Sequence, residues 1–79
     1  MRDKKRIPEI LNLIETIWDK DQDMRFLQLI YNLQRNYSQS HNGLGKVEHK
    51  EKDGFTTTGY DLFNLEDDEL IDFLKDLLK

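Results

Sequence analysis

Three groups of side chains in this 79-residue sequence have types that could do acid–base or metal chemistry. Four adjacent carboxylates at 66–69 could exchange protons if a pocket raised the pKa of one of them. His41 and His49 lie among acids and could bind a metal ion. Alternating aspartates at 19–23 resemble the first positions of a calcium-binding loop.

Each of these groups lacks a feature that its chemistry requires. Adjacent carboxylates in the first turn of a helix stay charged, because the helix dipole favours negative charge there. The histidine spacing matches no zinc motif, and a polar connecting segment does not hold ligands rigidly. The calcium pattern has Met24 where the loop needs glycine and Ile30 where it needs its final acid. We therefore predict a protein that is not an enzyme and has no catalytic residue, metal ligand, cofactor or small-molecule substrate.

Composition sets further limits on the class of protein. The sequence has no cysteine, which excludes disulfides and thiolate metal sites and fits a reducing compartment. No apolar run approaches the roughly 18 residues of a membrane-spanning helix, and no signal-peptide pattern follows the basic start. The net charge of −4 argues against nucleic acid as the main partner. We predict a cytoplasmic protein without membrane contact.

Charge is distributed unevenly along the chain. Residues 1–6 form a basic N-terminal tail with a net charge of +3, whereas residues 61–79 carry −5. Such asymmetry allows electrostatic contact with a basic partner or between copies of the chain. The alternative is that these charges only solvate the surface, and the sequence leaves both interpretations open.

Apolar residues recur at three- and four-residue steps in three segments, which predicts three helices. The helices cover about residues 7–20, 24–37 and 66–78. Pro8 suits the first turn of the first helix, Asp23 is a candidate N-cap for the second, and Asn42-Gly43 is a stop signal. Three amphipathic helices indicate an all-α fold, a small three-helix bundle within one domain of residues 1–79.

Residues 38–60, between the second and third helices, are polar and lack helical periodicity. They form either a flexible or weakly structured insertion or a short hairpin whose turn lies at Asp53-Gly54. A lone hairpin is marginal in water, so both alternatives stay open. In the tight turn that follows, one of Tyr60, Leu62 or Phe63 is expected to fill the core.

Arg25, Gln28 and Asn32 share one side of the second helix, next to its apolar stripe. A buried or half-buried arginine needs a carboxylate partner. The natural partners are Asp61, Glu66 and Asp67. We hypothesise that Arg25 pairs with one of them and holds the acidic segment against the second helix. A second interpretation is that these polar residues line a groove for a partner peptide.

The predicted partner-binding surface joins the exposed side of the second helix to the acidic start of the third. Its residues are Arg25, Gln28, Asn32, Arg35, Glu66, Asp67 and Glu69. The alternative is nucleic-acid binding, with the first two helices as a helix-turn-helix-like pair in which amides and arginines of the second read base edges. The aspartates at 19–23 would face phosphate and oppose that alternative.

Four apolar residues fall off the main helical stripes and lead to two interpretations. They are Leu13, Leu27, Tyr31 and Ile71. They form either a partly exposed dimer seam or part of a wider core face.

Two segments carry a resemblance to known proteins. Their matching residues are Trp18, Asp23, Arg25, Gln28, Leu29, Ile30 and Asn32, then Asp61, Phe63, Glu66, Asp67, Glu69 and Leu70. This pattern resembles a family of short, uncharacterised bacterial and prophage proteins. The chain departs from the family at Gln22, where proline is common, and at Leu27, where glycine is common. The resemblance implies a bacterial or phage origin and makes the second helix and the acidic segment one unit, but it implies no activity.

The sequence therefore predicts a non-enzymatic protein-interaction or regulatory module of bacterial or prophage origin. We expect a protein partner or self-association. Nucleic-acid binding through the second helix stays the disfavoured alternative.

Overall fold

The computed structural model of the protein describes residues 2–79 and contains three helices and two strands. In chain order these are α1 (Arg6–Asp19), α2 (Phe26–Ser40), β1 (Lys46–Lys50), β2 (Thr56–Tyr60) and α3 (Asp67–Leu77). The strands pair as a two-stranded antiparallel sheet, so the fold is α+β and the prediction of an all-α three-helix bundle is wrong. Met1, the first residue of the predicted basic tail, lies outside the described residues.

The hairpin explains why the all-α prediction failed. Lys46 lies opposite Tyr60 and Lys50 lies opposite Thr56 at the two ends of the ladder. Every residue of β1 is exposed, so this strand has no apolar–polar alternation from which it could be recognised. The threonine run of β2 has the higher strand propensity. Of the two alternatives for residues 38–60, the structure contains the hairpin.

The hairpin turn lies at the Asp53-Gly54 pair that the sequence singled out. Glu51 N–H donates to the Phe55 carbonyl at 2.7 Å, and Gly54 N–H donates to the Glu51 carbonyl at 3.1 Å. Gly54 has a φ of 90°, a left-handed conformation that favours glycine. The connection is therefore a three-residue loop that ends in a left-handed glycine. The Asp53 carboxylate also accepts a hydrogen bond from Phe55 N–H at 3.2 Å.

The three helices lie near their predicted positions. α1 and α3 agree with prediction to within one residue at each end. α2 begins at Phe26, so Asp23 lies too far upstream to be its N-cap. α2 then continues to Ser40, three residues beyond the predicted end at Tyr37. Tyr37 and the first residue of this extension, Ser38, are buried.

Left-handed backbone ends α2 at the predicted stop signal. Asn42 has a φ of 59° and Gly43 a φ of 82°. Gly43 N–H donates to the Ser38 carbonyl at 2.8 Å, which satisfies one carbonyl of the last helical turn.

By its contacts the chain forms two compact units, Met1–Phe26 with Asn64–Lys79, and Leu27–Phe63. In the first unit α1 packs against α3. α3 has three buried apolar side chains, of which Leu74 is fully buried, whereas α1 has no buried residue. A single domain over residues 1–79 stays a prediction.

The second unit contains almost all of α2 and the hairpin. Leu29, Leu33 and Tyr37 are its buried hydrophobic side chains. The Tyr31 ring on α2 meets the Tyr60 ring on β2 edge to face, with 5.6 Å between their centroids. The helix and the hairpin are therefore in direct contact within this unit.

Gly45 allows the two chain segments at the open end of the hairpin, just before β1 and just after β2, to lie side by side. Asp61 N–H donates to the Gly45 carbonyl at 2.7 Å, which extends the ladder by one pair. A Cβ on Gly45 would lie 2.5 Å from Leu62 Cδ2 and 2.7 Å from the Asp61 carbonyl oxygen. Only glycine fits there, because the neighbouring backbone cannot move away without breaking this pairing.

Gly45→Ala is expected to destabilise the protein more than Gly43→Ala. Both positions have nearly the same positive φ, 79° and 82°, so both substitutions carry about 1–2 kcal/mol of backbone strain. Only Gly45 adds a steric clash, since nothing lies within 4 Å of a Cβ at Gly43. We expect Gly45→Ala to lose about 1–3 kcal/mol more in the free energy of unfolding, measured by urea denaturation. Equal losses would contradict the described packing of Asp61 and Leu62 on Gly45.

Candidate functional site

Two arginines near the N-terminus bind the acidic segment that precedes and opens α3. Arg2 contacts both carboxylate oxygens of Glu66, at 3.1 and 3.3 Å. Arg6 Nε donates to Asp67 Oδ2 at 2.5 Å. Glu66 and Asp67, two of the acids that the sequence singled out, are thus ion-paired, and their partners are Arg2 and Arg6.

Arg25 differs from the expectation that placed it in a buried or half-buried pair. It is exposed, and it precedes the first residue of α2. Glu66 and Asp67, two of its three candidate partners, are bound by Arg2 and Arg6. These two pairs join the acidic segment to the start of α1, whereas the pairing proposed for Arg25 would have joined it to α2.

The two N-terminal ion pairs differ in their exposure to solvent. The Arg6 and Asp67 side chains are 27% and 34% exposed, whereas those of Arg2 and Glu66 are both 63% exposed. Arg6 is held further by donating from Nη1 to the Asp3 carbonyl at 3.0 Å. Hydrogen bonding to Glu66 raises the pKa of the Arg2 guanidinium above its ordinary value. The half-buried pair is the stronger of the two, because solvent screens it less.

Three further acids of α3 lie on its outer face. Glu69 of the predicted surface is exposed there together with Asp68 and Asp72. None of these three has an ion-pair partner among residues 2–79. This face is a solvated acidic stripe opposite the buried Leu74.

One face of α2 carries the other predicted residues together with two apolar ones. At about 100° per residue, Gln28, Asn32 and Arg35 fall on one side of the helix, with Leu27 and Tyr31 beside them. Leu27 is 77% exposed and Tyr31 44% exposed. Gln28 and Arg35 are exposed, and Asn32 is half-buried. We call these five residues the α2 face.

The predicted surface is divided between the two units. Arg25, Glu66, Asp67 and Glu69 belong to the first, whereas Gln28, Asn32 and Arg35 belong to the second. Each unit therefore carries its own part of that surface.

The four apolar residues off the main helical stripes divide between the two interpretations, a partly exposed dimer seam and a wider core face. Leu27 and Tyr31 are exposed as a seam requires, and Leu13 is half-buried. Ile71 is 7% exposed and belongs to the buried side of α3.

Phe63 was expected to be a candidate for filling the core, and the structure places it in solvent. It is 92% exposed, while Leu62 is the half-buried residue of this turn. The Asp61 carboxylate accepts a hydrogen bond from Phe63 N–H at 3.2 Å, which forms an aspartate turn. The aspartate two positions before Phe63 is the sequence signal for this turn.

His41 and Ser40 close the end of α2. His41 Nδ1 lies 2.8 Å from the Tyr37 carbonyl oxygen, and Ser40 Oγ lies 3.0 Å from the same oxygen. The His41 ring also stacks on Tyr37, with 3.9 Å between centroids. Both polar groups converge on a carbonyl of the last helical turn, which is the arrangement of a helix cap. Across residues 2–79, no three His, Cys, Asp or Glu side chains are grouped so that they could hold a metal ion.

None of the three described helices has both the length and the apolar composition needed to cross a bilayer. Comparison with known protein families, with characterised proteins and with solved structures finds no match. The resemblance to short bacterial and prophage proteins therefore stays a prediction, and the functional argument depends on the residues themselves.

A double-mutant cycle on Arg6→Ala and Asp67→Ala should show coupling of about 1 kcal/mol in the free energy of unfolding. The half-buried contact is the physical reason, and about 1 M salt should weaken the coupling only in part. The same cycle on the exposed pair Arg2 and Glu66 is the control, for which we expect no measurable coupling. Greater coupling in the control than in the Arg6 cycle would contradict the described difference in exposure.

Proposed function

We propose that this protein is a non-enzymatic interaction module that binds a protein partner through the α2 face. The observation that carries the proposal is the exposure of Leu27 and Tyr31, 77% and 44%, on a helix face that is otherwise polar. Single exposed hydrophobic residues are common on protein surfaces. An exposed pair one helical turn apart, bordered by amides and a guanidinium, is more typical of a binding surface.

The residue types of the α2 face support this proposal. Tyrosine and arginine are enriched among residues that contribute most to binding at protein interfaces. Tyr31 is held by its edge-to-face contact with Tyr60, so its ring loses little conformational freedom on binding. Gln28, Asn32 and Arg35 supply the polar groups that orient a partner at the border of such a patch.

The charge of the second unit favours a protein over a nucleic acid as the partner. Residues 27–63 carry four basic and four acidic side chains, a net charge of zero. Nucleic-acid binding depends on neutralising phosphates with a basic surface, which this balance does not provide. The amides and Arg35 on α2 are what supports the alternative of base reading by this helix.

The cellular setting belongs to the same proposal. The lack of cysteine supports a reducing compartment such as the cytoplasm. The pattern shared with short bacterial and prophage proteins supports a bacterial or phage origin, and a regulatory role through binding is consistent with both.

A photo-crosslinking amino acid at position 27, expressed in the native host, is expected to capture a discrete protein partner. The same amino acid at Lys52 is the matched control, because that position is exposed in the same unit at the hairpin turn. Leu27→Ala and Arg35→Ala should then each weaken binding of the purified partner by about 10- to 100-fold, measured by calorimetry. Equal capture from both positions, or none from position 27, would contradict the proposal.

A DNA shift assay at several salt concentrations tests the alternative. Our proposal predicts weak binding that Arg35→Ala does not change. Tight binding that falls steeply with salt and is lost in Arg35→Ala would instead favour nucleic-acid recognition.

A further inference from the structure

We infer that two copies of this chain pair through α1, with the helices antiparallel and the exposed Ile7 and Leu11 in contact across a two-fold axis. The partner of this surface is thus a second copy of the chain. The inference goes beyond the α2 face and does not depend on it, because all of its residues lie in the first unit.

The apolar side of α1 is wider than the surface that α3 covers. Its seven large apolar residues span about 160° of the helix at about 100° per residue. They are Ile7, Ile10, Leu11, Leu13, Ile14, Ile17 and Trp18. Not one of them is buried anywhere along Arg6–Asp19. A helix with this much apolar surface and no buried residue still lacks contacts on one side.

Ion pairs show which side of α1 faces α3. Arg6 binds Asp67, and Glu9 lies 3.1 Å from Lys75, so both partners belong to α3. On the helix, Arg6 and Glu9 fall on the flank of Leu13. Ile7 and Leu11 fall on the opposite edge of the apolar arc, where they are 52% and 60% exposed. The open edge of α1 is therefore the one turned away from α3.

The aromatic end of α1 is already occupied. Trp18 packs against Phe26 with 5.4 Å between ring centroids, and its Nε1 donates to the Met24 carbonyl at 2.7 Å. The open edge is thus limited to the first turns of α1, around Ile7, Leu11 and the half-buried Ile14.

Charges beside the open edge have opposite signs at its two ends. Lys4 lies in the turn that leads into α1, where its carbonyl accepts a hydrogen bond from Ile7 N–H at 3.2 Å, so it lies one turn before Ile7. Glu15 lies one turn after Leu11 and, at about 100° per residue, falls next to it. Both side chains are exposed, and neither has an ion-pair partner within the described residues 2–79. The cations of this region that do have carboxylate partners are Arg2 and Arg6.

In an antiparallel pair of two copies, a single two-fold axis brings both the apolar residues and the oppositely charged residues into contact. In the sequence, the midpoint between Ile7 and Leu11 is Glu9. The midpoint between Lys4 and Glu15 lies half a residue further, which corresponds to a shift of about 0.8 Å along a helix. A two-fold axis at the height of Glu9 along α1, on the side of Ile7 and Leu11, therefore places Ile7 against Leu11 of the second copy. The same axis places Lys4 against Glu15 of the second copy, and the symmetry forms each of these contacts twice. Parallel pairing would place like charges together, which disfavours it.

Sedimentation over a range of concentrations measures the pairing directly. The small patch predicts a weak reversible dimer with a Kd between about 10 µM and 1 mM. Leu11→Glu should weaken the dimer by at least about 10-fold without changing the circular dichroism spectrum, because Leu11 is already exposed. Thr16→Glu, on the opposite and exposed side of α1, is the matched control and should leave dimerisation unchanged. A chain that is monomeric at about 1 mM, or a dimer unaffected by Leu11→Glu, overturns the inference.

Charge reversal tests the direction of the helices. Lys4→Glu alone and Glu15→Lys alone should each weaken the dimer by about 10-fold, because each converts two attractive contacts into repulsive ones. The chain that carries both substitutions should regain the affinity of the unchanged protein, since the contacts are attractive again. If neither single reversal weakens the dimer, or if the double variant does not recover, antiparallel pairing is excluded.

Discussion

The half-buried ion pair between Arg6 and Asp67 is the interaction on which the first unit depends. It joins the first turn of α1 to the first turn of α3 in a place where solvent screens it only in part. Together with the pair between Glu9 and Lys75, it lies on the side of α1 that packs against α3. The opposite edge, with Ile7 and Leu11, is left open as a consequence.

In the second unit, backbone pairing within the hairpin has the role that the ion pair has in the first. β1 buries no side chain, so the hairpin depends on its backbone pairing and on two local contacts. One is the ring contact between Tyr31 and Tyr60, and the other is the close approach of Asp61 and Leu62 to Gly45. Because Gly45 has no side chain, Asp61 and Leu62, which follow β2, can pass next to it. Tyr31 on the α2 face is in contact with the last residue of β2, Tyr60.

Small size connects these constraints to function. Chains of this length bury a limited share of their surface, and six hydrophobic side chains are buried among the described residues while ten large ones are exposed. Two pairs of the exposed residues lie one helical turn apart, Ile7 with Leu11 and Leu27 with Tyr31. Each pair is bordered by polar or charged residues, which is how protein-binding patches are commonly arranged. These two patches are the basis of the two proposed associations, with a protein partner and with a second copy.

Local chemistry predicted from the sequence alone the bounds of α1 and α3 to within one residue, Asp53-Gly54 as the turn of one of two alternatives for residues 38–60, and a shared side for Gln28 and Asn32. These features depend on residues a few positions apart, through helical periodicity and the turn preference of glycine. Only the tertiary structure decided that Arg2 and Arg6 bind Glu66 and Asp67, and that the exposed charged segment of β1 pairs as a strand. The physical reason is the distance along the chain, since Arg6 and Asp67 are 61 positions apart. Several arginines could pair with the same acid, and only the tertiary packing determines which of them lies near it.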